Sequence, residues 1–189
     1  PETSKAYPRK PVPELETDIA IVGAGPAGLT CAFHLARKGH RVTIFERLAG
    51  PGGMSAVGIP DYRLPPDILN REIDHILSLG IDLRLNSRLG TDYSLDDLTE
   101  QGFDAVFLGL GAHASLSLRI DGEEDTAGVI DAVRFLREVN LGDREKPGDR
   151  VAVIGGGNVA IDAARAARRL GASRVAIVYR RSEKEMPAY

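Results

Sequence analysis

The chain's 189 residues are 43% hydrophobic, enough for a packed core, and 27% charged, as a hydrated surface requires. A formal net charge of −3 gives no global field to attract nucleic acid or an anionic membrane; no apolar run reaches bilayer length, and no signal-peptide pattern opens the sequence. The single cysteine, Cys31, excludes an internal disulfide framework and any iron–sulfur cluster held by these residues alone, and it suits a reducing, cytoplasmic setting.

Residues 1–16 carry four prolines and little apolar periodicity, and read as an extended arm or linker. From residue 17 the apolar strand DIAIV runs into GAGPAG. A helix with Leu29, Ala32, Leu35 and Ala36 on one side follows and stops at Gly39, and then comes the strand RVTIFE. This is a βαβ unit whose apolar strands suit a buried parallel sheet. Residues 48–65 form a long glycine- and proline-rich loop without period, of the kind that is usually functional. PPDILNREIDHILSLG predicts an amphipathic helix with Ile68, Leu69, Ile73, Ile76 and Leu77 inward. IDLRLNS predicts a strand, SLDDLTEQG a short helix capped by Ser94, and DAVFLGLGA a strand ending in glycines. Residues 129–140 predict a helix, and the charged, turn-rich LGDREKPGD puts a boundary near residue 149. Residues 150–181 then repeat the opening plan of strand, glycine turn, alanine-rich helix and strand. The fold class expected is α/β, with two Rossmann-like dinucleotide-binding units: residues 17–149, and the start of a second from 150 to 189.

The first turn has the parts that a pyrophosphate needs. Gly23 permits the sharp bend off the strand, Gly25 lets backbone approach the ligand, and Gly28 allows helix and strand to pack closely. Pro26 and Ala27 open a helix whose free N–H groups and dipole favour phosphate. Glu46 lies 18 residues beyond Gly28 at the end of the second strand, where an acid can bind both ribose hydroxyls. A tight βα turn without a ligand is the alternative. In the second turn Gly155 and Gly157 keep their roles, while Ala160 takes the place of the third glycine. Arg180 and Arg181 stand where the first unit has its acid. A guanidinium pair there can fork onto a 2′-phosphate, which favours NADP over NAD. Two arginines that merely solvate a strand end are the alternative, and Glu183 and Glu185 keep NAD(H) open.

Other chemistries lack their residues. No CxxC is present, Cys31 reads as a small core residue, and no P-loop lysine follows the glycines. His34, His40, His75 and His113 have no partner at metal-ligand spacing, so neither a metal site nor a catalytic histidine is expected.

Together, PGGM at 51–54, GIPDYRLP at 58–65, FLGLGA at 107–112 and YRRSEKEMPA at 179–188 resemble the FAD- and NAD(P)-binding module of the glutamate synthase small subunit family. The resemblance runs from about residue 16 to the end. It extends to the flavin half of dihydropyrimidine dehydrogenase and to the large subunit of NADH-dependent ferredoxin:NADP oxidoreductase. It implies that Gly23, Gly25, Pro26, Ala27, Gly28, Glu46, Arg47, Gly52, Gly53, Met54, Gly58 and Ile59 hold FAD. It further implies that Arg63 contacts the flavin nucleotide, that Leu89 passes near the adenine, and that Gly109, Gly111 and Ala112 close over FAD. Gly155, Gly156, Gly157, Asn158 and Val159 would take the NADP(H) pyrophosphate, with Arg180 and Arg181 on the 2′-phosphate. In the family the nicotinamide hands a hydride to the flavin, so no catalytic side chain is named. Electrons leave through iron–sulfur clusters of partner domains or subunits, or through a ferredoxin-like acceptor, which implies a hetero-oligomer without nucleic acid or membrane insertion.

The Gly109-Leu110 pair departs from the family's ATG turn, the cluster cysteines are missing, and only residues 151–189 belong to the second domain. One βαβ unit does not cover both faces of a sheet, so the expectation is a fragment, or a domain completed by another chain. The rival readings are a non-catalytic FAD-holding electron-relay or scaffold subunit, and a simple NADPH-dependent flavin reductase or monooxygenase.

Overall fold

A computed structural model describes residues 14–188. The expected arm lies outside the described residues as far as residue 13; just beyond, the Leu15 amide donates to the Gly39 carbonyl at 2.8 Å. In chain order the elements are β1 (Asp18–Val22), α1 (Pro26–Ala36), β2 (Arg41–Phe45), α2 (Met54–Val57), α3 (Pro66–Leu77), β3 (Asp82–Arg84) and α4 (Leu95–Glu100). They continue with β4 (Ala105–Leu108), α5 (Ala132–Asn140), β5 (Arg150–Ile154), α6 (Asn158–Arg169) and β6 (Arg174–Val178). The chain groups into two compact units, one from the chain up to Gly52 with Asn70–Gly111, the other from Gly53–Leu69 with the chain from Ala112 on. These cuts differ from a boundary at residue 149, because α2 and α5 pack against each other and α5 against α6.

In the first unit a parallel sheet has the order β3-β2-β1-β4. Val22 lies beside Phe45 on one side and Leu108 on the other, so three strands end at the same level. Gly23, Glu46 and Gly109 follow them at the carboxyl edge, where ligands of open α/β sheets bind. Ile21 and Ile44 are fully buried, and Ala20, Val22, Phe45 and Leu98 form a second cluster. Arg41 forks onto Asp18 at 2.7 and 2.6 Å, pinning the start of β2 to the start of β1. The expected Ser94 cap forms a full capping box with Asp97.

Two expectations change. The loop at 48–65 contains the single turn α2, whose Val57 is buried. On α3, Ile73 is buried, Leu69, Ile76 and Leu77 are half-buried, and Ile68 is exposed. At 100° per residue Ile68 lies about 140° around the helix from Ile73, whereas the other three fall within about 60° of it.

In the second unit β5 and β6 pair in parallel, with Ile154 beside Val178. Ala160, Ala163, Ala164 and Ala166 of α6 cluster with Leu136 of α5 and Val153 of β5. Methyl-sized side chains let α6 lie close to its neighbours. Asp131 starts α5, its carboxylate accepting from the Arg134 amide at 2.7 Å.

Candidate functional site

Around the first glycine turn the backbone is so tight that side chains do not fit. Gly23 has φ +105°, and a Cβ there would collide with the Gly109 carbonyl oxygen; a Cβ on Gly28 would collide with the carbonyl oxygen of Gly23. Gly109 is fastened in turn by its amide, which donates to the Val22 carbonyl at 2.8 Å. The departure from the family's ATG turn therefore leaves a glycine at the point of closest approach. Gly52 joins the same turn, its amide donating to the Ala24 carbonyl at 2.7 Å. Gly25 is the N-cap of α1 and no side chain caps the helix, so its first-turn N–H groups keep their capacity for an anion.

Glu46 is 95% buried and wires this turn together: one carboxylate oxygen accepts from the Ala24 amide at 2.8 Å, the other from the Leu48 amide at 2.8 Å. Each oxygen retains a second lone pair, so the carboxylate can also accept from a ribose hydroxyl. Arg47 next to it is exposed, as are Gly111 and Ala112 beyond β4. Leu89, like Tyr93 and Phe103, packs on the cluster of Ala20, Val22, Phe45 and Leu98. The buried phenol of Tyr93 is pushed up to about 12, first by burial and then by the charges of Glu46 and Asp92.

The second turn repeats the plan. The Gly155 amide donates to the Val178 carbonyl at 2.9 Å, which brings the residues after β6 beside the glycines. A Cβ on Gly156 would press into the Tyr179 ring at 2.7 Å, whereas one on Gly157 would meet open space. Gly157 is the N-cap of α6, again without a side-chain cap. Arg180 and Arg181 are exposed and pair with no other described residue. Glu185 is engaged locally: its carboxylate accepts from the Ser182 hydroxyl at 2.8 Å and its pKa is lowered by that contact.

Gly53, Met54, Gly58, Ile59 and Arg63 group with this second unit. Gly53 has φ +53° and is the N-cap of α2, and the Gly58 amide donates to the Met54 carbonyl at 2.9 Å. The Ile59 carbonyl accepts from the Asn140 side chain at 3.0 Å. Arg63 donates to Asp162 at 2.8 Å, Tyr62 donates to the same carboxylate at 3.3 Å, and Arg169 lies 3.8 Å over the Tyr62 ring. Sequence reasoning does not single out Tyr62, Asn140, Asp162, Arg169 or Tyr179. For Asp162 a signal exists, a lone acid on the alanine face of α6.

Burial pushes the Cys31 thiol up, away from the thiolate that nucleophilic or redox chemistry would use. Among the described residues no cluster of three acidic, histidine or cysteine side chains could hold a metal.

The family described as pyridine nucleotide-disulphide oxidoreductase matches residues 17–188. The chain is 53% identical over 174 residues to the NADP(+)-dependent formate dehydrogenase subunit beta of Moorella thermoacetica, which covers 90% of this chain and 24% of that protein. It is 49% identical over 190 residues to the NADPH-Fe(3+) oxidoreductase subunit beta of Geobacter sulfurreducens, covering 97% of this chain and 28% of that one. The small chain of the Escherichia coli NADPH glutamate synthase is 39% identical over 180 residues, with 89% and 38% covered. Among solved structures, Mycobacterium tuberculosis FprA in complex with NADPH superposes with a TM-score of 0.77 at 26% identity, covering 91% of this chain and 45% of that one. The chain thus spans about a quarter of the length of the first two relatives.

Proposed function

The chain belongs to the pyridine nucleotide-disulphide oxidoreductase family, and from that premise we propose that it is the FAD- and NADP(H)-binding part of an electron-transferring oxidoreductase. One observation carries the reading: two uncapped glycine turns in one chain, the first tied to a buried carboxylate and the second followed by two exposed arginines that pair with no other described residue. The contacts among Gly23, Gly28 and Gly109 pack backbone directly on backbone and so fix the shape of the first turn. The uncapped start of α1, with the N–H groups of Ala27 and Gly28, suits the pyrophosphate of FAD, and Glu46 suits its adenosine ribose. At the second turn Gly157 opens onto free space, and Gly156 to Val159 receive the NADP(H) pyrophosphate, with Arg180 and Arg181 on the 2′-phosphate.

When bound, flavin supplies the chemistry that turns a two-electron hydride donor into a source of single electrons. The residues of this chain need only bind and orient; no side chain is assigned a proton to move. The redox disulfide of the family's name does not form within these residues, because Cys31 is their single cysteine. The acceptor is therefore outside them: an iron–sulfur domain or subunit, or a ferredoxin-like protein. The relatives named as beta subunits and as a small chain support assembly with other chains. No helix among the described residues is long and apolar enough to cross a membrane, and the setting proposed is the cytoplasm.

Anaerobic titration of the full-length protein tests this. NADPH should bleach the flavin absorbance, and an added ferredoxin should reoxidise it. A flavin that is bound yet inert to NADPH and NADH would leave the relay-subunit reading. Replacing Arg180 and Arg181 by alanine should weaken NADPH binding ~10–100-fold while NADH binding barely changes. Equal losses for the two nucleotides would remove those arginines from the 2′-phosphate site.

A further inference from the structure

The family resemblance sets Arg63 against the flavin nucleotide, yet its guanidinium is engaged within the second unit. The geometry points to a different role, in which Arg63 serves the nicotinamide dinucleotide site by neutralising Asp162 beneath the second glycine turn. Asp162 lies five residues beyond the N-cap Gly157, about 7–8 Å along the axis of α6. Its side chain is 93% buried. A bare carboxylate there opposes the partial positive charge with which the helix N-terminus attracts phosphate. Arg63 Nη1 meets one carboxylate oxygen at 2.8 Å, and the Tyr62 hydroxyl meets the other at 3.3 Å.

The arrangement is built, not incidental. The Pro60 carbonyl accepts from the amides of Arg63 and Leu64 at 2.9 and 3.1 Å, folding PDYRL into a turn. Arg169, two helical turns beyond Asp162, covers the Tyr62 ring at 3.8 Å. Helix α6 thus grips Tyr62 and Arg63 with an acid on one turn and a base on another, and the acid's charge is cancelled where it would repel the ligand.

The inference rests on the NADP(H) reading of α6, and both are tested in the full-length protein by measuring NADP⁺ affinity, flavin content and thermal unfolding. Arg63→Gln should weaken NADP⁺ binding about five- to tenfold, with flavin content retained. Adding Asp162→Asn should restore affinity to within about twofold, because the acid that needed cancelling is gone. Flavin loss on Arg63→Gln, or no rescue by Asp162→Asn, would overturn the assignment. If Arg63→Gln alone does not fold, the double variant decides: near-normal affinity supports the inference, weakened affinity sinks it. Failure of the unaltered protein to bind NADP⁺ defeats the underlying reading, and the inference with it.

Discussion

Tyr93 places a phenol hydroxyl inside the first unit with no hydrogen-bond partner among the described residues. Its ring packs 4.9 Å from that of Phe45, so the ring contributes while the hydroxyl costs. Tyr93→Phe keeps the ring contact and should raise stability by about 1 kcal/mol at neutral pH, read from denaturant unfolding of the full-length protein. The same hydroxyl gives an alkaline signature. Its folded pKa lies near 12, above the ordinary value of about 10, so the native state favours the neutral phenol. That preference is whole below pH about 10 and is lost as pH rises through about 12. Tyr93→Phe should therefore hold its fold to higher pH than the unaltered protein; an unchanged alkaline midpoint would place the hydroxyl in contact with water.

At the scale of the element, Gly28→Ala is the sharpest test of the first turn. The added methyl meets the carbonyl oxygen of Gly23, a backbone atom that moves only if β1 and α1 part. FAD content of the purified protein should fall severely, with a lower melting temperature; a variant that keeps flavin and melts normally would show that the turn can yield. Strands β1 to β6 and the longer helices were legible because their signals are local: apolar runs into glycine, Ser94 before an acid, glycines after Ala36 and Leu79. The inward face of α3 was legible except at Ile68, where counting apolar residues replaced their angle around the helix. What the sequence hid was pairing across distance. Arg63 and Asp162 are 99 residues apart, and neither announces the other. The position of Glu46 at the end of β2 is plain in the sequence and carries its proposed role at a ribose, but its two backbone partners, Ala24 and Leu48, follow only once β1 and β2 stand side by side.

For the whole molecule, the proposal assigns one dinucleotide to each unit, and a ligand that binds only the folded state slows local opening where it binds. Hydrogen exchange on the full-length protein separates the two sites without any turnover. NADP⁺ added to the flavin-loaded protein should slow exchange of the amides from Gly156 to Ala160, at the start of α6. The amides of Ala27 and Gly28 should be unaffected by NADP⁺, and should instead exchange faster once flavin is removed. Arg63→Gln should lessen the NADP⁺ protection at α6, and Asp162→Asn should return it, since that pair acts on the helix and not on the first turn. NADP⁺ protection centred on Ala27 and Gly28 would reverse the assignment of the two turns, because their first two glycines are spaced alike and the assignment rests on Glu46 after the first and the Arg180-Arg181 pair after the second.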